Sequence, residues 1–380
     1  MLIYYLLAAG VLVLAVPLCM HRPTHTKKAV YLLAVFGVLF LLSVLREGIG
    51  FDYYRYEEMF ALARMPWQSA EVTVDIGFEL LLRLFALLHL PDAAIFAVLA
   101  FGCLAPVAWF IYRYSPCVWL SCWLYLTLTF FYGTMNFIRQ NLALGVLLLA
   151  FPLLLKGTWK AHSVYLAVVA LAFFIHTSVI ILVPVVLLLH IPLNKWTVSA
   201  LAVLDVACVV YAQPLLNFFA LRADGEYYFL NYHVETIYLV GLRGLFLILP
   251  TAFALVLLAC RKPLRAVCAH ADFYIKMALI SACIWSFVIR FFVLERFSLF
   301  AYIYIIIALP LAYTALCRPL QQGQEAPAVS ARRGWLCRCG VCVLLCATFA
   351  YNVFGMYDGT QGFHGVFPYK SCVQILNNLP

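Results

Sequence analysis

Arg139 lies in the segment Asn136-Phe137-Ile138-Arg139-Gln140-Asn141-Leu142-Ala143, between two long apolar runs. A guanidinium at membrane depth is costly unless it is partnered, so it marks a functional site by default and points to an anionic ligand. Asn136, Arg139, Gln140 and Ala143 follow an i, i+3, i+4, i+7 spacing that puts the polar groups on one helix face. An arginine that only snorkels to the headgroups needs no Asn and Gln beside it. A second segment, Ala172-Phe173-Phe174-Ile175-His176-Thr177-Ser178, carries one imidazole followed by two hydroxyls. Such a histidine is either a satisfied structural residue or, in an anion-binding cavity, a candidate base for a sugar hydroxyl.

Further segments could serve the same chemistry. Arg46-Glu47-Gly48-Ile49-Gly50-Phe51-Asp52-Tyr53-Tyr54-Arg55-Tyr56 combines an arginine, two turn-permitting glycines, a carboxylate and tyrosines. Tyr53 and Tyr56 offer flat faces that suit sugar rings, although an aromatic belt with salt bridges has the same composition. Glu79 and Arg83 are spaced for an ion pair on a short amphipathic helix that runs to His89. The stretch from Pro214 to Val240, with Tyr227 among its polar and aromatic residues, is long enough for a lid and equally suits a solvated loop. Arg243 stands between Gly241 and Gly244, which allow close approach. In Arg290-Phe291-Phe292-Val293-Leu294-Glu295-Arg296 the single Glu295 cannot pair both arginines, and the excess charge fits a phosphate. The tail beyond residue 354, with Tyr357, Tyr369 and Lys370, is aromatic and suits a glycan-contacting surface.

These residues need a scaffold, and the composition names its class. With 66% hydrophobic and 11% charged residues, and apolar runs from Leu2 to Phe354, the chain is expected to be a polytopic helical membrane protein. Only helices satisfy their backbone over such runs in lipid, which excludes a β-barrel. The first run, Leu2 to Met20, lacks the flanks of a signal peptide and reads as a retained helix. The 14 cysteines lie mostly in apolar runs and give no disulfide framework. The Cys337, Cys339, Cys342, Cys346 cluster has no His or carboxylate with it, so no metal is expected. Net charge of +9 is spread over short loops, which argues against nucleic acid.

The positive-inside rule places the basic loops around Lys27, Arg113, Lys156, Lys195, Arg261 and Arg318 to Arg338 in the cytoplasm. The resulting spans lie near 2–20, 28–45, 93–112, 117–132, 138–155, 162–175, 177–190, 196–213, 241–259, 270–290, 297–315 and 336–354. About 12 crossings put both termini outside. Parity requires a break at His176, and the two halves, each spanning about 21 Å, suit a thin or re-entrant pair lining a cavity. The expected organisation is a single membrane domain over 1–380, with outer segments at 46–91, 214–240 and 355–380 and a basic cytoplasmic loop at 318–335. Nine of the ten basic residues on the outer side are arginine, which favours bidentate recognition of phosphate or carboxylate.

The pattern Arg-x-x-x-Gly-x-Asp-Tyr-x-x-Tyr at Arg46 to Tyr56, then Asn136-x-x-Arg139-Gln140, Phe174-x-His176-x-Ser178, the loop from Arg290 to Arg296 and Pro368-Tyr369, resembles the EpsG-type and Wzy-type bacterial polysaccharide polymerases. The elements fall in the family's order along nearly the whole chain. The resemblance implies a multi-pass enzyme of the bacterial inner membrane with GT-C-like architecture and its active face on the periplasmic or extracellular side. It implies transfer of a growing glycan from undecaprenyl pyrophosphate to a lipid-linked repeat unit, without cofactor or metal, and a chain-length regulator as a further partner.

On that basis Arg139, Arg290, Arg296, Arg46 and Arg243 are expected to hold pyrophosphate, and Tyr53, Tyr56, Asn136, Gln140 and Tyr227 to contact the glycan. The base is His176, or else Asp52 or Glu295 with His176 positioning the acceptor. A ligase that moves finished glycan would use the same donor and the same arginines. A transporter or flippase would place charges along the depth of several spans, yet apart from Asp205 the span interiors are nearly bare.

Overall fold

The computed structural model describes residues 2–20, 23–66, 74–211, 243–288, 295–317, 327–356, 365–366 and 368–372. The described residues are helical throughout apart from connections and one isolated bridge between Arg46 and Ser371. In chain order the helices are α1 (Leu2–Ala15), prolonged by a π turn (Val16–Met20), α2 (His25–Val44), α3 (Tyr53–Ala63), α4 (Ile76–Leu87), α5 (Asp92–Tyr114), α6 (Val118–Thr127), α7 (Phe130–Asn136), α8 (Ile138–Leu149), α9 (Phe151–Leu155) and α10 (Trp159–Phe173). After a 3₁₀ turn (Thr177–Ile181) come α11 (Leu182–Leu189), α12 (Lys195–Val210), α13 (Arg243–Ala259), α14 (Arg261–Val267), α15 (Ala271–Val288), α16 (Glu295–Tyr302), α17 (Ile305–Cys317) and α18 (Pro327–Met356).

Four helical stretches, Leu2–Met20, His25–Val44, Asp92–Tyr114 and Trp335–Val353, are long and apolar enough to cross a membrane. Counting the bent pairs α6 with α7 (51°) and α16 with α17 (40°) as one span each raises this to six. These counts cover the described residues, among which several of the apolar runs read from the sequence are interrupted. The run expected at 138–155 breaks at Ala150, next to Pro152, which removes a backbone donor early in α9. The run at 162–190 stops at Phe173 and restarts as the 3₁₀ turn at Thr177, so the break expected at His176 is present. The basic segment expected as a loop over 318–335 is helical from Pro327 onward.

Two compact units divide the chain: residues 1–180 with 317–380, and residues 181–316. In the first unit α5 packs against α2 and α8, and α6 packs against α1 and α18. The approach of α5 to α8 depends on small residues. A Cβ on Gly145 would lie 2.7 Å from the Gly102 carbonyl oxygen, so the two backbones come closer than larger residues permit. Polar clamps fix the outer partner: Trp123 Nε1 donates to Thr348 Oγ1 at 2.9 Å, and Asn352 Nδ2 donates to the Leu126 carbonyl at 3.2 Å. Such bonds between membrane helices contribute about 0.6–2 kcal/mol each. In the second unit α15 packs against α12, α13 and α16, and Ser286 Oγ on α15 donates to Asp205 Oδ2 on α12 at 3.0 Å.

The segment expected as an outer loop from 46 to 91 contains two helices. The amphipathic one is α4, where Glu79 and Arg83 pair at 2.8 Å. Both side chains are largely buried, so this pair is inside the fold and not a solvated surface bridge. The other, α3, was not anticipated from hydropathy. Its inward stripe, Tyr53, Tyr56, Met59, Phe60 and Ala63, has helical spacing and packs with Phe78, Phe85, Phe96 and Cys103 in one apolar cluster.

Candidate functional site

The site is built where four chain segments meet in the first unit. The loop from Arg46 to Asp52 turns through Gly48 and Gly50, both at positive φ. At Gly50 a side chain would also strike the Met135 carbonyl, 2.7 Å from an added Cβ, so glycine is required twice over. The Asp52 amide donates to Asn136 Oδ1 at 3.2 Å, which pins the loop to the end of α7. Asn136 therefore belongs to α7 while Arg139 and Gln140 open α8, with Phe137 between the two helices. The single polar face expected for these residues is split by that break. Asn141 bridges the break, its Nδ2 donating to the carbonyls of Gly133 at 3.0 Å and Phe137 at 2.9 Å, each of which also accepts a backbone amide.

The C-terminal segment covers the loop. Glu47 and Gly50 donate their amides to the carbonyls of Lys370 (3.1 Å) and Gly365 (2.9 Å), and Cys372 donates to Leu45 at 3.1 Å. Tyr369 donates its hydroxyl to the Leu42 carbonyl at 3.0 Å. Residues expected to form a glycan-contacting tail thus also hold the Arg46 loop in place.

Arg46 is 5% exposed, with its guanidinium 5.3 Å from the Phe96 ring centre and 5.8 Å from that of Tyr53. Its Nε and Nη1 have no hydrogen-bond partner. Burial lowers the guanidinium to about 10, partly offset by Tyr53 and Tyr56, so it stays a cation at neutral pH. Tyr53 stacks on Phe96 with centroids 5.0 Å apart, and Tyr56 meets Phe78 edge to face. The ring faces of these two tyrosines are packed in the protein, whereas their neighbour Tyr54 is 67% exposed.

The polar centre lies at the start of α4. Gly77 donates its amide to the Phe174 carbonyl at 2.7 Å, and a Cβ at Gly77 would lie 2.7 Å from that oxygen. This contact docks α4 on the end of α10 and brings Asp75 beside His176. Asp75 Oδ2 accepts from Arg139 Nη1 at 3.0 Å, and the same oxygen lies 3.5 Å from His176 Nδ1. The second distance is longer than an ordinary hydrogen bond. His176 Nε2 has no hydrogen-bond partner among the described residues. Burial alone would raise the Asp75 carboxyl; contact with His176, the charge of Arg139 and the Thr177 amide outweigh it and hold the group below the usual carboxylate range. Arg139 also places its own amide 3.5 Å from the Tyr56 hydroxyl, which ties α8 to α3.

Of the residues singled out from sequence, the structure therefore brings Arg139 and His176 together, with Tyr56 adjoining, and holds Arg46 and Asp52 in a loop that packs on the α7–α8 break, with Asn136 ending α7 and Tyr53 beginning α3. Gln140 is buried in the first turn of α8. Glu295 and Arg296 belong to the second unit, where they begin α16. Arg290 and Tyr227 lie outside the described residues, as does the side chain of Arg243, whose backbone opens α13. Asp75 was missed: in sequence it reads as a residue ahead of a helix, and its only signal is the Asp-x-Gly spacing that sets it against Phe174. Among the described residues no group of three or more His, Cys, Asp or Glu is placed to hold a metal ion.

The described residues are helical with several apolar spans, as in a membrane protein, and they gather an imidazole, a carboxylate and a guanidinium at one point. A model of the EpsG family matches residues 29–371, so the chain belongs to the EpsG family. That membership makes its function polysaccharide-polymerase-like and its chemistry, in general, that of a glycosyltransferase. No curated protein and no solved structure matches the chain.

Proposed function

We propose that the protein is a metal-independent polysaccharide polymerase that transfers a growing glycan from undecaprenyl pyrophosphate to a lipid-linked repeat unit at the outer face of the bacterial inner membrane. In this reading the chain crosses the bilayer about twelve times in a GT-C-like arrangement, with the helix break at His176 lining the site. The observation that carries it is the convergence of Arg139 and His176 on one carboxylate oxygen, with the second imidazole nitrogen unpartnered.

The acceptor hydroxyl donates its proton to His176 Nε2 as its oxygen bonds to the anomeric carbon of the donor sugar. The bond from that carbon to the pyrophosphate oxygen breaks, and the electron pair leaves with the pyrophosphate. Arg139 faces the charge that develops there, as preorganised cations do in other group transfers. Arg46, which has no carboxylate partner among the described residues, is the second cation. A base of this kind contributes about 10²–10⁴-fold to the rate. Asp52 is the alternative base, with His176 then positioning the acceptor.

Membrane-inserted Arg139→Ala and His176→Ala variants are expected to lose polymer and accumulate single repeat units. Full-length polymer from either variant would overturn the assignment, and accumulation of long lipid-linked chains would show a ligase instead.

A further inference from the structure

We infer that Asp75 is a positioning residue that couples anion binding at Arg139 to the readiness of His176 as a base. The inference rests on the reading of Arg139 and His176 given above. One oxygen, Asp75 Oδ2, faces both groups: it accepts from Arg139 Nη1 at 3.0 Å and stands 3.5 Å from His176 Nδ1. The guanidinium engages that oxygen, and among the described residues Nδ1 has no formed hydrogen bond.

A pyrophosphate oxygen reaching Arg139 competes with Asp75 for the same donors. Charge-assisted bonds from a guanidinium to phosphate and to carboxylate are of similar geometry and strength, so a phosphate displaces the carboxylate readily. Asp75 is then free to close the remaining gap to Nδ1, and catalytic contacts that are long without substrate commonly tighten in the complex. The hydrogen bond fixes the Nδ1–H tautomer and leaves the Nε2 lone pair directed at the acceptor hydroxyl. Asp75 takes no proton in the transfer; the hydroxyl proton goes to Nε2 and the positive imidazolium that results faces the carboxylate.

The surroundings permit this exchange. The charged and titratable groups that face the pair are Arg139 on α8 and the Tyr56 phenol on α3, with Asp52 acting on that phenol. Glu79 on α4 is engaged by Arg83. The Thr177 amide contacts the Asp75 carboxylate and keeps it anchored as its partner changes. The Gly77 amide on the Phe174 carbonyl holds the backbone of the carboxylate fixed relative to the imidazole.

Coupling of this kind is reciprocal, which gives it an unusual signature. Removing the Asp75 charge removes the competitor for Arg139, so the anion binds more tightly while turnover falls. The test uses purified full-length protein in lipid nanodiscs, with inorganic pyrophosphate as the binding probe and lipid-linked repeat units for turnover. Asp75→Asn is expected to bind pyrophosphate several-fold more tightly and to lose about 10²-fold in kcat. Asp75→Glu, which keeps the charge, is expected to recover part of kcat and the original pyrophosphate affinity. If Asp75→Asn does not fold, Asp75→Ser carries the same comparison.

Unchanged or weaker pyrophosphate binding by Asp75→Asn would overturn the inference while leaving the proposed function standing. Pyrophosphate binding that is identical in Arg139→Gln and the unmodified protein would overturn the underlying site reading as well.

Discussion

Arg46 and Arg139 both meet tyrosines of α3, yet their charges are held in opposite ways. Arg139 is partly accessible and faces a carboxylate, Asp75, at 3.0 Å. Arg46 is sealed under the C-terminal segment, lies over the rings of Tyr53 and Phe96, and has no carboxylate partner. A cation held by a carboxylate exchanges that partner when a stronger or better placed anion arrives. A cation held by ring faces has no competitor to release, so an anion adds to its environment without displacing anything. The same side chain therefore provides a switchable contact at one position and a fixed positive potential at the other.

The comparison can be broken most forcefully at Gly77. A valine there would press its Cβ to within 2.7 Å of the Phe174 oxygen, and the backbone would have to move. Overpacking of that kind costs about 1–3 kcal/mol, and a displacement near 1 Å at a reacting group can cost about 10²-fold in rate. Gly77→Val is expected to lose turnover to that extent while Arg139 and Arg46 remain intact, as measured by polymer synthesis in membranes with matched protein levels. Activity within a few-fold of the unmodified protein would mean that α4 does not position the site.

A smaller effect is expected at the fixed cation. Replacing a buried charge by an apolar side chain of similar length is often neutral or stabilising by about 1–4 kcal/mol. Arg46→Met is therefore expected to keep or raise the thermal stability in detergent, while the KM for the lipid-linked donor rises about tenfold. This is the reverse of the tightening expected on loss of Asp75. An unchanged KM would assign Arg46 to packing alone.

The sequence made the helical class and the two most prominent site residues legible, because both follow from hydropathy and from polar groups that have no place in apolar runs. The break at His176 was legible too, through charge parity between Lys160 and Lys195. Asp75 was not, because its role arises from a contact between α4 and the end of α10, residues about a hundred positions apart. The break at Phe137 was also hidden: neither glycine nor proline occurs there, and the Asn141 side chain that bridges it acts through contacts with Gly133 and Phe137 that only the fold shows. Tyr53 and Tyr56 read as exposed aromatic faces only until α3 is recognised as a helix whose inward stripe they begin.

The central claim is that His176, Asp75 and Arg139 act as one constellation. A double-mutant cycle measures this directly, using turnover of lipid-linked repeat units by His176→Ala, Asp75→Asn and the protein carrying both substitutions. Residues that act as a unit are strongly non-additive. The double variant is predicted to be no slower than His176→Ala alone, within about threefold. Losses that multiply, with Asp75→Asn slowing the His176→Ala protein as much as it slows the unmodified one, would contradict the account.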